Sequence, residues 1–143
     1  MITVEKAFQL KDNLAVKMAC PFERQVDKEM LQNFTHISQD SSSLHCAELD
    51  DAIVPGNLLI SLLPAMLQSG MKVSNFEQCK TVTIENIRFR RSVYLEQSLT
   101  LHFQILSVKK IGENCFVSTE LILRLSSDGS TVMTARQTDC FIG

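Results

Sequence analysis

Asp40 and His45 lie five residues apart in the stretch "SQDSSSLHCAELDDAIVPGNLLISLL", and Gly56 follows eleven residues after the histidine. A carboxylate beside an imidazole can hold and deprotonate one water, and the imidazole can deliver or remove a proton at a neighbouring atom. On a helix this spacing would turn the two side chains about 140° apart, so they can cooperate only in an irregular loop. Spacing alone favours a plainer reading, in which Asp40 caps the serine turn and His45 is a satisfied, partly buried polar residue. Gly56 adds a second element. At a helix start its unshielded backbone N–H, backed by the positive end of the helix dipole, suits a carbonyl oxygen that gains negative charge. Pro55-Gly56 is also simply a common way to begin a helix.

Other reactive side chains carry less. Cys46 follows His45, but adjacent side chains in an extended segment point apart, so a buried thiol is expected rather than a Cys–His nucleophile. The five cysteines are at least 25 residues apart and form no CxxC, which fits free thiols in a reducing compartment better than zinc or disulfides. His36 falls at the end of a first helix, where its charge would complement the dipole. His102 falls on the polar face of a strand and is expected to be exposed. Ser61, within the second helix, is expected to pack against a neighbour.

The elements that must hold these residues are legible from periodicity. Val4 to Phe8 and Val16 to Phe22 read as extended segments around the turn-like "KDN". Asp27 caps a short helix, Lys28 to Ile37, with Met30, Phe34 and Ile37 on one stripe and Leu31 beside it. Three serines then favour a loop, Ser38 to Ser43. A second helix opens at Pro55-Gly56-Asn57 and stops near Ser69-Gly70, about 20 Å long. Its Leu58, Leu59, Ile60, Leu62, Leu63, Met66 and Leu67 cover nearly the whole circumference, which predicts a buried helix. Pro64 predicts a kink or an early end.

After Gly70 the period becomes two. "TVTIENIRFR" places Val82 and Ile84 on one face, then slips at Glu85-Asn86 so that Ile87 and Phe89 point inward, as a β-bulge would cause. "LTLHFQIL" turns Leu99, Leu101, Phe103 and Ile105 inward. "CFVSTELILRL" follows, and Asp128-Gly129 signals a hairpin into Thr131 to Ile142. A meander of four long antiparallel strands must cover its apolar face, and the long apolar helix is the available partner. An α+β hot-dog fold, a sheet wrapped around one central helix, is the expected architecture, with residues 1–143 as a single domain.

Composition narrows the function. Hydrophobic residues make up 45% and charged residues 21%, a globular balance. A net charge of −2, with no Trp and one Tyr, argues against binding nucleic acid. The N-terminal "MITVEKAFQLKD" is too charged for a signal peptide, and the apolar run Leu58 to Leu67 is too short to span a bilayer. A cytoplasmic protein with no membrane association is expected.

The stretch "FTHISQDSSSLH…IVPGNLLISLL" resembles the signature of the MaoC-like (R)-specific enoyl-CoA hydratases and dehydratases. That signature is an Asp, four residues and a His, then a Gly opening the central hot-dog helix. The likeness continues through "VTIENIRFRRSVYLEQSLTLHFQI". The resemblance implies that Asp40 and His45 activate water for addition to C3 of a trans-2-enoyl thioester and transfer the proton at C2. It implies that the Gly56 N–H polarises the thioester carbonyl, with Ser43 and Asn57 beside the substrate. It implies an acyl-CoA or acyl-carrier-protein thioester as substrate, in fatty acid or polyketide metabolism. No metal or redox cofactor is implied, and the acyl chain would run along the central helix near a homodimer interface. Arg88, Arg90 and Arg91 would meet carrier phosphates, or else form a solvated strand face. The chain has Ser42 and Ser43 where the family has Asn and Pro, and Pro55 where it commonly has His. Two alternatives stay open. One is a thioesterase with Asp40 or Glu48 as base; the other is a non-catalytic acyl-thioester binding or interaction protein.

Overall fold

The computed structural model describes residues 1–40, 45–46 and 51–143 of the chain. Its elements are β1 (Ile2–Val4), a 3-10 helix (Ala7–Asn13), β2 (Lys17–Ala19), α1 (Lys28–Ser38), α2 (Gly56–Gly70), β3 (Met71–Val73), β4 (Gln78–Phe89), β5 (Leu99–Ile111), β6 (Asn114–Leu125) and β7 (Thr131–Ile142).

The first turn of α1 is set by Asp27, whose carboxylate accepts from the Met30 N–H at 2.8 Å. Its end is set by Gln39 in the left-handed region, φ 57°, whose N–H donates to the Thr35 carbonyl. The expected stripe is half right. Leu31 is fully buried and Met30 and Phe34 pack against the core, but Ile37 is 81% exposed beyond the reach of the sheet.

Helix α2 spans the predicted range and runs through Pro64 to Gly70. Leu58, Leu59, Leu62, Leu63, Met66 and Leu67 are buried. It is not buried all round, however. Asn57, Ser61, Pro64, Ala65 and Gln68 are exposed and line one face, and Ser61 donates to the Leu58 carbonyl at 2.6 Å rather than to a neighbouring element. That face keeps Pro64 harmless to packing. Gly70 is required by close approach, because a Cβ there would meet the Cys20 Sγ at 2.7 Å and the Phe103 ring at 2.8 Å.

Five strands form one antiparallel sheet in the order β2-β5-β6-β7-β4, and β1 pairs in parallel with β3. Inward Leu99, Leu101, Phe103 and Ile105 of β5, with Val117, Leu121 and Leu123 of β6, are essentially without solvent contact. They pack with α2 into one apolar core, the hot-dog arrangement. Gly129, at φ 72°, supplies the turn between β6 and β7 that Asp128-Gly129 signals.

Three expectations need correction. The segment around "KDN" is not a turn between strands but the end of a 3-10 helix that buries Ala7 and Leu10 three residues apart. The four long strands are not a simple meander, because β4 crosses to the far edge and pairs with β7 instead of β5. The slip at Glu85-Asn86 is real, with register shifting between Glu85 and Arg88 and Asn86 at φ 54°. Yet β4 has no buried residue: only Ile87 is half-buried, and Val82, Ile84 and Phe89 are exposed. As the edge strand, β4 is separated from the exposed face of α2 by open cavities along much of its length, and only its Phe89 end closes onto the helix at Gly56.

Candidate functional site

His45 and Gly56 face one concavity of about 380 Å³ at the N-terminal end of α2, together with Leu59, Phe89, Arg90 and Ser92. His45 is half-buried, and its Nδ1 lies 2.6 Å from the Ile53 carbonyl oxygen. A carbonyl only accepts, so Nδ1 carries a proton, and the neutral tautomer that this hydrogen bond selects is the one with Nε2 as the free base. The carbonyl is itself held. Ile53 bridges Tyr94, and the Val54 N–H donates to the Val93 carbonyl at 2.8 Å. Both the tautomer and the orientation of the ring therefore follow from backbone fixed to the segment after β4.

Gly56 is the first residue of α2, preceded by Pro55, which offers no capping side chain. The first-turn N–H groups of Gly56 and Asn57 have no helical acceptor, and no hydrogen bond from either is made among the described residues. The Phe89 ring lies over the glycine so closely that a Cβ would meet its Cζ at 2.5 Å. A glycine is needed here for that approach, which sequence alone could not show.

The other expected site residues are placed differently. Asp40 is exposed just beyond the end of α1, its N–H donating to the Ser38 hydroxyl at 3.3 Å, and it does not line the concavity. Asn57 is exposed and does not line it either. Ser43 and Glu48 lie outside the described residues. The structure thus joins His45 and Gly56 in one concavity that neither Asp40 nor Asn57 lines.

Positive charge gathers beside the concavity. Arg91 donates to Asp128 at 3.2 Å and to Ser130 at 2.8 Å. Arg90 and Arg88 line a neighbouring hollow of about 400 Å³ with Arg136 and the carboxylate of Glu120, and none of the three guanidinium groups forms an ion pair within 4 Å among the described residues.

Cysteine chemistry has no support. All five thiols are free, and Cys46 is exposed rather than buried as expected. Desolvation pushes the Cys20 thiol up to about 11. Cys79 also reaches about 11, first by desolvation and then by the negative charge of Asp139, so neither is a thiolate nucleophile near neutrality. His102 is half-buried instead of exposed, with a buried Nδ1 that has no hydrogen-bond partner among the described residues. Burial first, and Arg124 second, lower its pKa from the ordinary 6.5. Among the described residues no group of three or more His, Cys, Asp and Glu could hold a metal ion, and no helix is long and apolar enough to cross a membrane.

Sequence reasoning missed a buried polar set on the inner face of the sheet: Thr119, Gln137 and Asp139. The signal was present. In "ARQTDCF" the inward positions continue from Ala135 through Gln137 and Asp139, polar residues where the alternation asks for apolar ones.

No family model matches the chain, and no curated protein is similar to it by sequence. Solved structures are similar to it in fold. A protein from Archaeoglobus described as a monoamine oxidase regulatory protein superposes with a TM-score of 0.72 at 18% identity, covering 90% of each chain. An (R)-hydratase from A. caviae involved in PHA biosynthesis superposes at 0.67 and 15% identity, covering 88% of this chain and 94% of the other. A MaoC-like dehydratase from Rhodospirillum rubrum superposes at 0.71 and 12% identity, covering 93% and 95%. At these identities the likeness is one of fold: the chain has the hot-dog fold found in MaoC-like dehydratases and (R)-hydratases, as its sequence resemblance led us to expect.

Proposed function

We propose that this chain hydrates trans-2-enoyl thioesters, or dehydrates 3-hydroxyacyl thioesters in reverse, in the concavity between the start of α2 and Phe89. The observation that carries the reading is that His45, with Nδ1 bound to the Ile53 carbonyl, shares that concavity with the Gly56 N–H. In the forward direction the water oxygen bonds to C3 as its proton passes to His45 Nε2. The electron pair of the double bond moves onto the thioester carbonyl, and the Gly56 N–H at the positive helix end holds the resulting enolate oxygen. His45 Nε2 then returns the proton to C2 of the enolate, which leaves a hydroxyl on C3 and restores the base. We assign Asp40 to the attacking water and Ser43 and Asn57 to the thioester on the family resemblance alone; neither Asp40 nor Asn57 lines the concavity, so each must turn into it when the thioester binds. Arg88, Arg90 and Arg136 meet the phosphates of a coenzyme A or carrier-protein arm, because three guanidinium groups against the single carboxylate of Glu120 leave that hollow a net positive charge that suits phosphate oxygens.

A homodimer is part of the proposal. Strand β4 offers twelve residues of unpaired sheet edge with Val82 and Ile84 exposed, a template for pairing with a second copy. A structure of a 3R-hydroxyacyl-ACP dehydratase complex shares the fold at a TM-score of 0.65 and 20% identity, and it is in keeping with such assembly.

Loss of the enoyl-thioester absorbance of crotonyl-CoA and its longer homologues tests the activity. No loss at any chain length, on coenzyme A or on a carrier protein, would sink it. One observation favours a second reading, a non-catalytic thioester-binding protein: Asp40 is exposed and outside the concavity. Tight binding of the same thioesters without turnover would favour that reading.

A further inference from the structure

A second and larger cavity, of about 660 Å³, opens beside the C-terminal half of α2. Its wall from α2, β3 and β7 is apolar at Leu67, Met71, Val73 and Phe141, but Thr81, Gln137 and Asp139 also line it. Asp139 is only 8% exposed and Gln137 only 3%. The Thr81 hydroxyl donates to Asp139 Oδ1 at 2.8 Å, and Gln137 Nε2 donates to both carboxylate oxygens at 3.0 Å. Chemistry fixes the orientation of that amide, since its NH₂ must face the carboxylate.

The arrangement leaves acceptors in excess. Oδ2 receives one hydrogen bond against the two received by Oδ1, and Gln137 Oε1 receives none among the described residues. No cation pairs with the carboxylate among them. Directly across the sheet from Gln137, the Thr119 hydroxyl is buried without a partner among the described residues. Buried polar groups are costly unless satisfied, so a polar strip across three strands of a core face calls for a partner. That partner must donate. Lys72 and Lys80 line the same cavity, so a cation would meet like charge, whereas a neutral hydroxyl would not.

Position along α2 connects this cavity with the proposed reaction. Gly56 and Leu59 line the first concavity and Pro64 and Leu67 line the second, so the two are separated along one helix by roughly 12 Å. A medium-length acyl chain whose carbonyl sits on the Gly56 N–H spans that distance. We propose that the cavity receives the far end of the acyl chain, and that Asp139 and Gln137 select chains carrying a hydroxyl group there. The proposal rests on the thioester reading above and adds to it the class of acyl chain.

The test uses saturated thioesters, which cannot be hydrated, so that binding is read without turnover. Decanoyl-CoA and ω-hydroxydecanoyl-CoA are titrated calorimetrically into the wild-type protein and Asp139→Leu. The hydroxylated chain is expected to bind wild type about tenfold more tightly, as a hydrogen bond to a charged acceptor provides. Asp139→Leu, checked for folding by circular dichroism, is expected to reverse that order. Equal binding of the two thioesters by wild type overturns the proposal and leaves the thioester reading standing. Binding of neither, whether carried on coenzyme A or on a carrier protein, overturns both. A hydroxyl preference that survives in folded Asp139→Leu removes Asp139 from the role. If Asp139→Leu does not fold, the wild-type comparison still decides, and Gln137→Leu replaces it as the variant.

Discussion

Replacing His45 with glutamine removes the proposed base while keeping a donor for the Ile53 carbonyl. Two effects of different size follow. The hydrogen bond, 2.6 Å long and half-buried, contributes about 1 kcal/mol to stability, and glutamine recovers part of it. For a chain of 143 residues this lowers the melting temperature by roughly 4 °C at most. The loss of a positioned general base costs about 10²–10⁴ in rate, equivalent to roughly 3–5 kcal/mol of barrier. The catalytic effect thus exceeds the structural one by a wide margin. Steady-state hydration of an enoyl thioester, followed by absorbance, should show kcat reduced at least a hundredfold. KM should be nearly unchanged, because the carbonyl contact at Gly56 is retained. A folded variant with kcat within about threefold of wild type refutes the assignment of His45 as base. A change confined to KM would make it a binding residue instead.

Three further outcomes test other parts of the structure. Gly70→Ala should destabilise by about 1–3 kcal/mol in chemical denaturation despite the better helix propensity of alanine, because its methyl group would meet Cys20 and Phe103 within 3 Å; unchanged stability would show that contact to be loose. Stability should fall with acidification through the imidazole range. His102 has a lowered pKa, so the folded protein binds fewer protons than the unfolded chain; stability present above pH 6.5 is lost as pH drops from there towards the lowered value, and His102→Gln should abolish that step in thermal melts. Ile84→Lys puts charge on the exposed edge of β4 and should shift the sedimenting species from dimer to monomer; a wild type that is already monomeric contradicts edge pairing.

The fold was legible where burial is one-sided and periodic. The run Leu58 to Leu67 marks α2, and the alternation at Leu99 to Ile105 marks β5, because each pattern is imposed by one apolar surface. Period two tells which face a residue takes and not which strand lies beside it, so the pairing of β4 with β7 was hidden. The exposure of Val82 and Ile84 follows from that edge position. At the candidate site, His45 and Gly56 were singled out by the family resemblance, since spacing alone favoured a plainer reading. The Ile53 carbonyl that sets the imidazole tautomer was not, because a backbone acceptor has no signature in sequence. Asp40 was legible as a candidate, yet it stands outside the concavity it was expected to line. Asp139 broke the alternation of β7 in plain view, and only the cavity beside it gives that break a meaning.

The most direct test is a structure of the protein with an unreactive saturated acyl-CoA bound. The account predicts the thioester carbonyl oxygen at hydrogen-bond distance, about 2.9 Å, from the Gly56 N–H, with His45 Nε2 facing C2 and C3 of the acyl chain. A thioester seated away from the start of α2, or a His45 ring turned so that Nδ1 leaves the Ile53 carbonyl and faces the ligand, would contradict it.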